Sequence, residues 1–153
     1  MAEQFTGDFH VVGTRDGSVA VTAEFDVILG AASTISAGQL VTVDGGNAGY
    51  ALLAANGAST DETWIGIAVA DSTETVAADG VVQVMYAPSG LIVRGAPHTP
   101  GNLAQAIIDT SVILSVAAGV QTIDENDVTK GVLTIVRYDT TLETIDVSVP
   151  FQL

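Results

Sequence analysis

The chain contains no cysteine. Disulfide staples, thiolate nucleophiles and cysteine-ligated metals are excluded with it. Positive charge is almost as scarce. Arg15, Arg94, Lys130 and Arg137 stand against 18 acidic residues, a formal charge of −14. A surface of that sign repels the phosphate backbone of nucleic acids and the anionic faces of membranes, so neither is an expected partner. His10 and His98 are the only histidines, and no further nitrogen or sulfur ligands stand at short spacing, so no metal site is expected. Aromatic residues make up 5% of the chain, with a single tryptophan, Trp64. That is thin material for the stacked platform of a carbohydrate-binding barrel. No apolar run approaches the roughly 18 residues of a membrane-crossing helix. The opening MAEQFTGDFH lacks the basic and apolar parts of a secretory signal. Synthesis in the cytoplasm and a soluble product are the expectation.

Catalytic devices are also missing. There is no G-x-S-x-G elbow, no G-x-G-x-x-G and no Walker pattern. The glycine-rich run at 44–49 is followed by no helical pattern that could hold a phosphate at its N-terminus, so it reads as a turn. Asp124, Asn126 and Asp127 have the start of a calcium loop, but no glycine stands at its sixth position and Ile135 occupies its twelfth. No catalytic residue, cofactor or metal is expected.

What the chain does have is alternation. Its 153 residues suit one domain able to bury roughly two-thirds of its unfolded surface. Nearly half are apolar, mostly Ala and Val, and 16 are Gly. Short runs of period two end in Gly, Asp, Asn or Pro, the pattern of strands and turns. Strands are expected at 39–43, 50–54, 64–70, 81–87 and 90–93. Residues 8–29 read as an N-terminal β-hairpin over Asp16-Gly17, and 131–149 as a C-terminal hairpin over 139–141. One short helix is expected over 102–109, where Leu103, Ala106 and Ile107 share a face. A buried strand follows at 111–119, and the polar 122–130 reads as a loop or one helical turn. Gly66, inside an apolar strand, suggests a bulge or close backbone approach. Trp64 reads as core or barrel rim, or else an interface anchor. The expected fold is mainly β: a small barrel over 31–153, preceded by an arm and hairpin over 1–30.

One stretch has a familiar order. GQLVTVD is followed by YALLA, then WIGIAVA with an acidic, Thr-rich turn, then VVQVMY closing on Ser89-Gly90 and LIVR. This order resembles the lambda-type head decoration proteins of tailed bacteriophages, over a little more than a third of the chain. The resemblance implies a β-tulip-like barrel without enzymatic activity, assembled as a homotrimer. Such trimers sit on the outer face of the expanded virion capsid and hold it against internal DNA pressure. It implies the major capsid protein as partner, contacted by an N-terminal arm whose place is taken here by Glu3, Gln4, Phe5, Phe9 and His10. Phe5 and Phe9 fit that role as apolar side chains on a polar segment, where strand addition to a partner would bury them. The arm here is shorter and more regular than the lambda-type one, and 121–153 adds a hairpin that the smallest members lack. A tail-tube, head-completion or fibre-like subunit is the competing viral reading, since 132–149 could pair between subunits of a ring.

Overall fold

The alternation becomes two antiparallel sheets. The computed structural model describes residues 9–28, 34–43, 50–54, 57, 63–99, 101–128 and 131–153. The strands are β1 (His10–Thr14), β2 (Val21–Val27), β3 (Leu40–Val43), β4 (Ala51–Leu53), β5 (Trp64–Ala68), β6 (Gly80–Tyr86), β7 (Leu91–Gly95), β8 (Ser111–Ala117), β9 (Val120–Asp124), β10 (Leu133–Asp139) and β11 (Thr144–Val149). The first sheet runs β1-β7-β11-β10-β8-β9 and the second β2-β6-β5-β3-β4.

Both sheets curl until their far edges come back. Beyond β7, Pro97 forms a parallel bridge with Ile123 of β9. There the His98 N–H donates to the Ile123 carbonyl at 2.7 Å, and the Ile123 N–H to Ala96 at 2.9 Å. In the second sheet Asp26 of β2 bridges Tyr50, just ahead of β4. The fold is mainly β and barrel-like, as the composition leads one to expect.

The N-terminal hairpin does not form. β1 pairs with β7 in one sheet, and β2 with β6 in the other. The two segments are one long strand, bent at 15–20, lying antiparallel along the equally bent β6–β7. The Asp16-Gly17 turn is real, but it makes the bend instead of reversing the strand onto itself. The Arg15 N–H donates to Gly90 across the corner, and the Asp16 carboxylate accepts the Ser18 N–H and the Ser89 hydroxyl at 2.9 and 2.8 Å. The physical reason is burial. A hairpin standing alone is marginal in water, whereas pairing with β7 and β6 seals Phe9 and Val27 into the cores.

The expected helix shrinks to one 3-10 turn, Gln105–Ile107, without a side-chain cap. Tertiary pairing overrides propensity here: the Asp109 N–H bonds the Ile135 carbonyl, and the Ile135 N–H bonds Thr110. The residues read as a loop at 122–124 belong to β9, which pairs with β8 across Ala118-Gly119, both at positive φ. The C-terminal hairpin forms as expected, with a bulge between Ile135 and Arg137. The turns expected at 44–49 and over most of 56–62, and the link at 30–33, lie outside the described residues.

Every residue of β5 is buried, because both faces of that strand are covered. Ile65 and Ala68 enter the inner core of the second sheet with Val27, Val41, Val82 and Val84. Trp64 and Ile67 face the larger core, inside the first sheet, with Leu91, Leu114, Ile135, Ile145 and Val147. Gly66 carries the expected bulge against β3, and a Cβ there would stand 2.1 Å from the Met85 carbonyl oxygen. Buried Gln121 joins the sheets. Its amide donates to Leu40 and Ala54 and accepts the Leu40 N–H.

Candidate functional site

β11 alternates with period two. Ile145, Val147 and Val149 enter the large core, and Thr144, Asp146 and Ser148 point the other way, yet all six are buried. A carboxylate inside such a strand needs compensation, because burying an unpaired charge is costly. Register supplies it. Arg94 on β7 and Arg137 on β10 both stand directly opposite Asp146. Arg94 donates from Nε to Oδ1 at 2.8 Å and from Nη2 to Oδ2 at 3.1 Å. Arg137 donates from Nε to Oδ2 at 2.7 Å, and its Nη2 lies 2.5 Å from the same oxygen. Burial pushes the Asp146 carboxyl up, but the bonds from Arg94 and Arg137 outweigh it and hold the group below its ordinary range.

The row carries two cations for one anion. The Asp146 side chain is 2% exposed, Arg94 35% and Arg137 60%. The Nη1 end of each guanidinium stays outside the Asp146 pairing. The three residues line an open cleft of about 210 Å³ with Tyr138, Asp139 and Thr144. A wider groove of about 570 Å³ adjoins it, between the 3-10 turn and β10, with Ile108, Val136 and Tyr138 among its walls and Arg137 shared. Arg15 lies on the same face, over Gly90 and Ser148. All the arginines of the chain therefore crowd the outer face of β7–β11–β10. Chemically this face suits recognition of carboxylates presented by another protein surface, since forked guanidinium donors match that geometry.

Negative charge gathers on the second sheet. Glu24 and Asp26 are exposed on β2, and Tyr50, which bridges to that strand, has its phenol pushed up by Asp79, by burial and by Asp26.

The residues assigned to the N-terminal arm are not brought together at this site. Glu3, Gln4 and Phe5 lie outside the described residues. Phe9 is 2% exposed, and its ring lies where a Cβ on Gly95 would be. It is a core residue, so its side chain does not face a partner. His10 is exposed on β1, directly opposite Arg94, at the end of the charged row. Trp64 is fully buried, which makes it packing and not an interface anchor. Sequence reasoning missed Arg94, Arg137 and Asp146 as a set. The available signal was an Asp at an alternate position of an otherwise apolar or small-residue strand, in a chain with so few cations.

Among the described residues no group of three or more His, Cys, Asp or Glu could hold a metal ion, and no helix is long and apolar enough to cross a membrane. No protein-family model, curated protein or solved structure matches the chain.

Proposed function

We propose that the chain is a structural virion protein that decorates the outer face of an expanded phage head as a homotrimer. In this role it binds the major capsid protein and stabilises the shell. One observation carries the reading: three buried polar side chains serve internal structure. Gln121 clasps the two sheets, Glu125 holds the His98 and Thr99 amides, and Asp146 holds two arginines. Each of these side chains has hydrogen-bond partners inside the fold, and the cleft beside Asp146 is open to solvent. A part that works through its surfaces has this character. The mechanism is added interface. A subunit that bridges several neighbours raises the free energy of separating them, because contacts made at once reinforce one another.

The test is direct. Purified protein is added to undecorated expanded heads, bound copies are counted by sedimentation, and release of packaged DNA is followed on heating. The expected result is saturable binding and release at a higher temperature. Heads that take up no protein and release DNA at the same temperature overturn the proposal.

A further inference from the structure

A small cleft beside Gly90 has one charged residue in its walls, Arg15. Its volume is about 150 Å³. The Arg15 stem crosses Gly90 closely. A Cβ on Gly90, whose φ is +108°, would stand 3.1 Å from Arg15 Cδ and 2.7 Å from Ser148 Oγ. Glycine permits both that φ and that approach, and so brings the arginine and the serine to one place. Arg94 and Arg137 are taken up by Asp146, whereas among the described residues the Arg15 side chain has neither an ion pair nor a hydrogen bond. Two hydroxyls share the cleft with it. Thr134 and Ser148 stand opposite each other on β10 and β11. Ser148 is only 5% exposed, and among the described residues neither hydroxyl has a hydrogen-bond partner. Apolar walls complete the cleft with Pro88, Pro150 and Phe151. The Phe151 ring is held in place by stacking on Tyr86, with 4.1 Å between centroids.

We propose that this cleft binds a carboxylate carried on a short apolar stem. A guanidinium presents forked donors that match a carboxylate's two oxygens, and the two hydroxyls can donate to the same group. The proline and phenylalanine walls suit the stem. Size limits the ligand to a head group and a few carbons, because sites for drug-sized molecules run to roughly 300–1,000 Å³. Charge limits it further. On a chain of net charge −14 a single negative charge is repelled less than the double charge of a phosphate. Asp16 is the carboxylate nearest in sequence, and it is not a wall of the cleft. It already accepts the Ser18 N–H and the Ser89 hydroxyl, so it leaves the Arg15 fork open. A short-chain fatty acid and the glutamate side chain of another polypeptide share the chemistry required. The inference does not rest on the proposed function.

Titration of the isotope-labelled full chain with sodium butyrate, followed by amide NMR at neutral pH and constant ionic strength, tests it. The amides of Gly90, Thr134 and Ser148 should shift together and saturate at millimolar concentration. A few charge-assisted hydrogen bonds supply that strength once the cost of association is met. Butanol, the same stem without the charge, should bind about tenfold more weakly or less. Arg15→Gln should weaken butyrate by about tenfold or more, and Ser148→Ala by severalfold. Arg15 is exposed, so its variant should melt with wild type, which separates lost binding from lost folding. Shifts that never saturate overturn the proposal, and so does an Arg15→Gln chain that binds butyrate as wild type does. Inorganic phosphate that displaces butyrate at equal concentration also overturns it, since the cleft is then an unselective anion site. A blocked tripeptide with a central glutamate distinguishes the two sources. Binding tighter than butyrate assigns the ligand to a protein side chain, and weaker binding assigns it to a free acid.

Discussion

At the scale of single residues, Asp146 and Gly66 bear the clearest consequences. Asp146→Asn should destabilise the fold toward the lower end of the roughly 3–5 kcal/mol typical of a broken buried ion pair, because both arginines keep partial access to water. Urea unfolding at neutral pH measures it. The pH dependence has a definite sign. A carboxyl held below its ordinary value contributes stability that is complete above the unfolded value of about 3.9 and is lost as pH falls through the folded one. Wild type should therefore lose stability below about pH 4, and the asparagine variant should lose less over that interval. Asp16, held down to about 2 by the Ser18 side chain and N–H and then by Ser89, has the same sign, so part of the acid loss survives in the variant. Gly66→Ala drives a methyl into the Met85 carbonyl. A loss on the order of 3 kcal/mol is expected on thermal melting, since backbone cannot swing aside as a side chain would.

At the scale of elements, Gln121 is the residue to remove. Gln121→Leu keeps the volume but strips the Leu40 N–H and the Ala54 carbonyl of their Gln121 partner inside the core, and leaves the Leu40 carbonyl with the Ala54 N–H alone. A cost of roughly 2–3 kcal/mol is expected from those unmade bonds, together with faster amide exchange at Leu40. This element also shows what could be read in advance. β3, β5, β6, β10 and β11 were legible because alternation or an unbroken apolar run reports local burial directly. β9 was not, since Gln121 and Glu125 look like solvent-facing residues until the fold supplies their partners. The N-terminal hairpin failed for a related reason. The Asp16-Gly17 signal identifies a turn, but only the distant β6–β7 decides whether the strands beside it pair with each other. The charged row was hidden in the same way, because Arg94, Arg137 and Asp146 meet only through the register of three strands.

At the scale of the whole molecule, Phe9 separates the arm from the body. Removal of residues 1–8 should leave a folded protein with an unchanged melting temperature, because Phe9, the first core side chain among the described residues, is retained. Removal of 1–10 should lower that temperature by several degrees, as expected when a buried aromatic is lost from a chain of this size. Under the proposed function the shorter deletion should also reduce binding to expanded heads, as counted by sedimentation. Full binding by that chain would move the capsid contact from the arm to the sheet surfaces.

The place of β11 has a consequence for synthesis. It lies between β7 and β10 in the first sheet, yet it follows both of them in the chain. The second sheet, drawn from a continuous stretch, can pair once Tyr86 has emerged. Until β11 is added the first exists only as two fragments, β1 with β7 and β10 with β8 and β9, and the outer sides of Leu40, Trp64 and Ile67 await the core that will cover them. Folding of this half waits for β11, and non-local pairing of that kind is slow. A chain that terminates before Thr144 therefore has half a barrel and an apolar face, which marks it for aggregation or degradation.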